Sequence, residues 1–458
     1  MNKLTCFKAY DIRGKLGDEL NEDIAYRIGQ AVATQLNPNR IAVGRDIRQS
    51  SAGLKAALAN GLMDSGVDVI DLGLCGTEEI YFATFQLDVD GGIEITASHN
   101  PIDYNGMKFV KRGGEPIRGD SELRSIRERV ENHDVALVTR RGCLQQYNIT
   151  DEYVDHLLGY INWQNLNPLC LVVNAGNGVA GHVVDAIEKR FAEQGVPITF
   201  IKINNEPDGT FPKGVPNPLL QENRFETSTV VRDNAADMGI AWDGDFDRCF
   251  FYDAEGNFIE GYYIVGLLAE AFLRKYSGEK IIHDPRLTWN TIDIATKYSG
   301  MPIQSKTGHV FIKEQMRQEN AIYGGEMSSH HYFREFGYCD SGMIPWLLIA
   351  EMLSNDRRPL ADYVRSCMQK YPCSGEINFK VDDVSKVILA IKTKYMVGSP
   401  ICQYIDGMSL EFPAWRFNIR ASNTEPLLRL NVESRGDISL VKQKVEEITA
   451  LIKSVSCR

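Results

Sequence analysis

The chain has 458 residues, enough for about three or four domains. Hydrophobic residues make up 43% and charged residues 24%, an ordinary globular balance that excludes extended disorder. The formal net charge of −11 excludes the basic face that a nucleic-acid partner needs, so cations for any anionic ligand must be gathered locally.

At the N-terminus no apolar core follows a basic segment, because Asp11, Arg13 and Lys15 arrive at once. The apolar stretch 346–350 is far too short to span a bilayer, so the expectation is a cytoplasmic protein with no membrane association. Strand-like runs stand at 40–43, 68–71 and 92–96. Between the first two, Leu54, Ala57, Leu58, Gly61 and Leu62 recur at helical spacing. The alternation returns at 169–174, 181–194 and 198–203, and again at 280–283, 291–298 and 302–304. Strand, helix, strand predicts parallel crossovers and an α/β architecture. Loop-rich seams near 140–150, 253–257 and 371–375 separate these blocks. Beyond the third, 376–381, 407–412, 416–419 and 427–433 read as strands and 438–453 as an amphipathic helix. The expectation is three consecutive α/β domains with mixed sheets, 1–147, 148–255 and 256–370, and a smaller C-terminal α+β domain, 371–458. Ten cysteines without a Cys-x-x-Cys pair fit reduced thiols better than a disulfide or zinc framework.

Asp243-Gly-Asp245-Phe-Asp247-Arg248 follows the apolar run 238–242. Carboxylates at i, i+2 and i+4 repel one another unless a cation lies between them, and hard oxygen ligands on a short loop suit Mg²⁺. The alternative is an acidic surface turn, but flanking Trp242 and Cys249 imply burial, which makes unpaired charge costly. An EF-hand needs glycine at the sixth loop position and glutamate at the twelfth, where Arg248 and Ala254 stand.

Thr96-Ala97-Ser98-His99-Asn100-Pro101 follows an apolar strand and could present Ser98 as a nucleophile, which would need a base or metal nearby; alone the segment is only suggestive, and a β-turn closed by Asn-Pro is its plainer reading. Lys108, ten residues on, is a candidate base or phosphate ligand. Gly324-Gly-Glu326-Met-Ser328-Ser-His330-His331 combines carboxylate, hydroxyl and imidazole in the manner of a polyol reader, though the histidines could be ordinary core residues. Arg420-Ala-Ser422-Asn423-Thr424-Glu425-Pro426 offers the donors of a phosphate cradle, or simply a loop between strands. Gly176-Asn-Gly178-Val-Ala-Gly181 matches a dinucleotide fingerprint, yet the next strand ends in Asn204-Asn205 where an acidic residue is required, so a tight strand–helix turn is the better reading.

In that order, from Tyr10-Asp-Ile-Arg13-Gly14 onward, these loops resemble the α-D-phosphohexomutase superfamily, most closely its bacterial phosphomannomutases. The resemblance covers essentially the whole chain. It implies four domains around a central cleft, each lending one loop, and a mutase that moves a phosphoryl group between O1 and O6 of a hexose through a 1,6-bisphosphate, with mannose phosphates as substrate. Ser98 would be the phosphorylated residue and, with Asp243, Asp245 and Asp247, a Mg²⁺ ligand. Arg13, Lys108, Arg248 and His330 would flank the transferring group, Lys108 and His330 as acid/base candidates. Glu326 and Ser328 would read sugar hydroxyls. Arg420, Ser422, Asn423 and Thr424 would bind the distal phosphate, and Lys306 and His309 would complete the anionic pocket. A hexose 1,6-bisphosphate would be the activator, a sugar phosphate the small-molecule partner, and no protein partner is implied. The product would feed GDP-mannose synthesis. Ser329 and Arg286 replace a glycine and a lysine of relatives and bear on sugar choice, with glucose phosphates as the alternative substrate. A Mg²⁺-dependent phosphatase built on Ser98 would have no use for the second phosphate loop at 420–424.

Overall fold

The computed structural model describes residues 4–134, 138–421 and 427–456. The chain forms two compact units, Met1–Phe258 with Glu335–Arg357, and Ile259–Arg334 with Arg358–Arg458.

In the first unit one sheet runs Ile12–Lys15, Tyr104–Lys111, Gly91–Ile95, Arg40–Arg45, Asp68–Leu74 and Leu144–Gln146. The last four strands are parallel, as the crossovers predict. Tyr104–Lys111 runs antiparallel to both neighbours, and this reversal sets Lys108 opposite Glu94, on the strand that leads to the serine loop. The helices Glu22–Leu36 and Ser51–Asp64 pack backbone to backbone: a Cβ on Gly61 would lie 2.0 Å from the Tyr26 carbonyl oxygen, and one on Gly29 2.3 Å from that of Leu58. Ile28, Val32, Leu54, Leu58 and Leu62 line the resulting core.

A second sheet in this unit orders Cys249–Tyr252, Met238–Trp242, Leu169–Asn174 and Ile198–Ile203, parallel except for the first. Met238–Trp242 is buried along its length, as a near-continuous apolar run covered on both faces should be. The helix Met343–Asp356 belongs to the same unit, its N-terminus capped by the buried Glu78 carboxylate, which accepts from the Gly342 and Met343 amides at 3.1 and 3.2 Å.

The second unit holds a mixed sheet of Met301–Gln304, Lys280–His283, Tyr323–Gly325 and His331–Phe333, the first three parallel and the last antiparallel. Its C-terminal part is a fully antiparallel sheet, Cys373–Phe379, Leu428–Ser434, Trp415–Ala421, Met408–Glu411 and Ile401–Gln403. The helices Val384–Tyr395 and Ile438–Ser456 supply Val387, Ile391, Val441 and Ile448 to its core. Three mixed α/β sheets and a C-terminal α+β domain are the architecture that the patterning implies.

Several strands escape the sequence: Leu144–Gln146 and Ile401–Gln403 are edge strands that carry no buried face to leave a period-two pattern, Ile12–Lys15, Tyr104–Lys111 and Tyr323–Gly325 are interrupted by glycine, and His331–Phe333 is three residues long. The third seam is likewise narrower than its composition suggests, since the strand already begins at Cys373 and shifts register through a bulge before Glu376. Among the described residues no helix is long and apolar enough to cross a membrane, and none of the nine described cysteines is in a disulfide.

Candidate active site

The buried strand Gly91–Ile95 delivers the chain into the serine loop. The Asn100 amide donates to the Ala97 carbonyl at 2.9 Å to close a turn, and Ser98 takes φ 49°, the left-handed region. For a residue with a Cβ this costs roughly 1–3 kcal/mol and persists only where the surroundings over-determine it. They do. The Ser98 amide donates to Thr96 Oγ1 at 2.9 Å. Arg48, 2% exposed, donates to the carbonyls of Ser98, Asn100, Pro101 and Tyr104 at 2.9, 2.6, 2.9 and 3.1 Å. Asp46 backs the guanidinium at 3.4 Å and accepts from the Arg48 amide at 2.9 Å. Sequence reasoning misses Arg48, whose only signal is an Asp-x-Arg step after a strand, which a surface turn would also explain.

The Asp loop leaves the end of Met238–Trp242. The Ser98 hydroxyl donates to Asp243 Oδ2 at 2.8 Å and lies 3.1 Å from His99 Nδ1. Carboxylate oxygens of Asp243, Asp245 and Asp247 lie within 4.8 Å of one another, and all three residues are buried. One oxygen of Asp243 and one of Asp245 are buried with no hydrogen-bond partner among the described residues. Orphaned anionic oxygens are costly, and on one short loop they fit a hard divalent cation. Lys108 Nζ donates to Asp245 Oδ2 at 2.7 Å, to Asp247 Oδ2, and to Thr77 Oγ1 at 3.3 Å. Arg248 Nε stands 3.5 Å from Asp243 Oδ2. Arg13 donates to the Ala97 carbonyl at 3.0 Å and to the Asn100 side chain. Ser98, Lys108, Arg13, Arg248 and the three aspartates are thus one constellation.

Its electrostatics are uneven. Burial pushes the Asp243 carboxyl up, and Asp247 adds to it against the pull of Arg248 and Lys108. Burial pulls the Lys108 ammonium down, but Asp245 and Asp247 outweigh it and hold it charged, above a lysine's usual range. Lys108 so held can offset phosphoryl charge. Burial, with Arg248 and Arg13, drives the His99 imidazole well below its usual range, leaving a neutral ring beside the serine hydroxyl, a neighbour to which the sequence assigns no role. The glycine motif also finds a use: the Val179 amide donates to the Gly244 carbonyl at 3.3 Å, and a Cβ on Gly178 would lie 2.8 Å from that oxygen. Gly178 seats the Asp loop.

In the second unit Glu326 follows Tyr323–Gly325 and accepts from the Gly308 amide at 2.9 Å and the Tyr332 hydroxyl at 2.6 Å. His330 Nδ1 lies 3.3 Å and Arg286 Nη2 3.6 Å from its carboxylate. Burial pushes Glu326 up, yet His330 and Arg286 more than offset this and keep it ionised well below the usual carboxylate range. Ser328 Oγ lies 3.4 Å from Arg286 Nη2 and 3.5 Å from His330 Nδ1. Lys306 is exposed, 5.4 Å above the Phe311 ring, and His309 opens the helix His309–Glu319. Arg420 ends a buried run of Trp415–Ala421, 3.6 Å from Glu376 and 3.8 Å from Asp406. Ser422, Asn423 and Thr424 lie outside the described residues. Glu376 and Arg429, which the sequence does not distinguish from other strand positions, join Arg286 and Arg420 here.

Family models for phosphoglucomutase/phosphomannomutase match the chain in order: alpha/beta/alpha domain I over residues 4–136, domain II over 151–256, domain III over 260–371 and the C-terminal domain over 376–451. The chain belongs to this family. It is 61% identical over 456 residues to a phosphomannomutase of Escherichia coli, covering 99% of this chain and 100% of that one. A phosphomannomutase of Vibrio cholerae is 58% identical over 461 residues, again covering 99% and 100%. The crystal structure of a phosphoglucomutase/phosphomannomutase family protein from Burkholderia thailandensis superposes with a TM-score of 0.88 at 32% identity, covering 99% and 98%. Membership accounts for the three α/β domains and the antiparallel C-terminal sheet, and the buried aspartate cluster is where a member of this family could hold a metal ion.

Proposed function

We propose that this chain is a cytoplasmic phosphomannomutase that interconverts mannose 6-phosphate and mannose 1-phosphate through a phosphoserine at Ser98. A hexose 1,6-bisphosphate is the intermediate and the activator. The observation that carries the reading is the Ser98 hydroxyl donating to Asp243 within the buried three-carboxylate loop. The names of relatives about 60% identical over the full length support the choice of mannose and, with it, a supply of mannose 1-phosphate for GDP-mannose.

Asp243, Asp245 and Asp247, with an oxygen on phosphorylated Ser98, would hold Mg²⁺, whose contribution is to neutralise charge on the phosphoryl group. In the first half-reaction the Ser98 Oγ–P bond breaks and a bond from phosphorus to O1 or O6 of the sugar forms. The sugar hydroxyl loses a proton and Ser98 Oγ regains one. Lys108, held as an ammonium, is suited to the second task, while Arg13 and Arg248 offset phosphoryl charge. We assign the sugar proton to His330, hydroxyl reading to Glu326 and Ser328, and the distal phosphate to Arg420, Ser422, Asn423 and Thr424, with Lys306 and His309 as further cations. The bisphosphate then turns end for end and the other phosphoryl group returns to Ser98.

Protein carrying isotopically labelled phosphate on Ser98 should pass the label to added mannose 1-phosphate. Ser98→Ala should not turn over, chelation should stop turnover, and Mg²⁺ should restore it. kcat/KM should favour mannose 1-phosphate over glucose 1-phosphate. Label released as inorganic phosphate, or activity retained in Ser98→Ala, would overturn the mutase; a preference for glucose would replace the substrate.

A further inference from the structure

Glu376 sits among three guanidinium groups in the second unit. Arg286 Nη1 donates to its Oε2 at 3.2 Å, Arg420 Nη2 lies 3.6 Å from Oε2, and Arg429 Nη1 lies 3.4 Å from Oε1. The Arg286 and Arg420 side chains are each 3% exposed and that of Glu376 22%, so little water screens them. Strand register builds this cluster. Arg420 and Arg429 are direct cross-strand partners, and Glu376, paired with Asn431, lies diagonally from Arg429. Like charges opposite one another on adjacent strands repel. Arg286 adds a third, its backbone fixed by the buried Arg416, which donates to the carbonyls of Arg286 and Pro285 at 3.0 and 2.9 Å. Asp284 accepts from Arg286 at 2.7 Å and Asp406 lies 3.8 Å from Arg420. Among the described residues, Glu376 is the carboxylate that all three arginines share.

A phosphate held by Arg420 is the same kind of partner as Glu376, an anion offering oxygens to a guanidinium fork. We propose that Glu376 is the resident counter-anion of the phosphate-holding arginines, competing with the distal phosphate for their donors and so keeping that phosphate's binding reversible. This rests on the reading that Arg420 holds the distal phosphate, and deepens it. A bisphosphate that must let go, turn and be gripped by its other end is poorly served by guanidiniums with no other partner. A built-in competitor weakens the grip and takes the arginines back when phosphate leaves, so that no bare charge is left buried. Burial pushes Glu376 up, but Arg286, Arg429 and Arg420 outweigh it and keep the competitor ionised.

The test uses the full-length protein, inorganic phosphate as probe, and titration calorimetry with divalent ions chelated. Glu376→Gln keeps the shape and removes the charge, and phosphate should bind about tenfold tighter. Glu376→Asp draws the carboxylate back by one methylene and should tighten phosphate by about threefold, so the proposal stays testable if the first variant does not fold. In turnover of mannose 1-phosphate, Glu376→Gln should lower KM and kcat together, a split that damaged packing would not produce. Arg420→Ala should weaken phosphate binding, and adding it to Glu376→Gln should abolish the tightening. No tightening in either Glu376 variant, with Arg420→Ala still weakened, overturns the role of Glu376 alone. Phosphate affinity unchanged in Arg420→Ala overturns the phosphate site on which it rests.

Discussion

Arg48→Lys tests whether Ser98 is held in place from beneath. The Arg48 side chain is 2% exposed and its two terminal nitrogens feed four carbonyls, those of Ser98, Asn100, Pro101 and Tyr104. Lysine keeps the charge but replaces a planar five-donor fork with a single ammonium, which cannot reach the same set of acceptors. At least two of the four bonds should be lost. Each lost charge-assisted bond removes roughly 1.5–3 kcal/mol, and the orphaned carbonyls add to it. Two lost bonds bound the cost at roughly 3–6 kcal/mol, and because losses within one network do not add simply, about 3–5 kcal/mol is the expectation. At roughly 2–4 °C per kcal/mol, the melting transition of the first unit should fall by about 6–20 °C. Without the carbonyl clamp, Ser98 relaxes from φ 49° toward ordinary backbone and its hydroxyl leaves Asp243. A displacement of about 1 Å should lower kcat by about a hundredfold with little change in KM. Calorimetric melting, turnover of mannose 1-phosphate and the stoichiometry of Ser98 phosphorylation read the three effects. A variant that melts within about 2 °C of the parent and keeps kcat within about threefold would refute the clamp.

Gly76→Ala probes the seat of the Asp loop. Its Cβ would lie 2.0 Å from the ring of Phe246, itself buried at φ 46° between Asp245 and Asp247. Overpacking of this kind costs about 1–3 kcal/mol, and because the ring cannot move without the loop, the Mg²⁺ concentration needed for half-maximal activity should rise; an unchanged metal requirement would count against the argument. His331 sets a pH dependence in the second unit. Burial, with His330 adding to it, pulls the His331 imidazole down to about 3. An unfolded histidine titrates near 6.5, so below that pH the unfolded chain takes up a proton that the folded one refuses. Stability should therefore fall as pH drops from about 6.5 toward 3, by up to about 1.4 kcal/mol per pH unit. Urea unfolding at several pH values should show this slope in the parent and not in His331→Gln. Equal slopes would reject it.

The fold was largely legible because its strands are buried and its crossovers regular. Met238–Trp242 and Leu169–Asn174 announce themselves as apolar runs, and the helices beside them as 3.6-period patterns. Edge strands such as Ile401–Gln403 bury nothing on a regular face and so leave no pattern. For the site, residues concentrated in short loops could be read: the three aspartates, the serine turn, the Glu326 loop. Residues that act on a loop from a distant part of the chain could not. Arg48 lies 50 residues from Ser98, and nothing local separates it from a surface arginine. Glu376 and Arg429 come together through strand register, which pairwise composition does not carry. The glycine motif misleads for the opposite reason. Its spacing suits a pyrophosphate, but the space its missing Cβ atoms leave is filled by protein, with Gly178 against Gly244 and Gly181 against the Asn205 carbonyl.

The two charge centres differ in how their cations are engaged, and the difference follows from what each would do to a phosphate. Around Ser98 the three aspartates already engage the nearby cations: Lys108 lies 2.7 Å from Asp245 and Arg248 3.5 Å from Asp243, with Arg13 on the serine loop. On the proposed reading a divalent cation held by the three aspartates tips the balance toward a phosphate, so that bond making is tied to metal loading. Around Arg420 three guanidiniums meet Glu376, Asp284 and Asp406, and on the proposed reading no metal is needed, because holding a phosphate requires directional donors and no change in its bonding. Here the danger is the reverse, a grip too strong to release, and Glu376 meets it. The overall charge of −11 then serves both centres. A general negative potential discourages anions elsewhere on the surface, so phosphates are retained only where metal or guanidinium overturns it. An acidic chain with two such sites is what the proposed exchange of the two ends of one bisphosphate calls for: one end must be transferred only under control, and the other held only for a time.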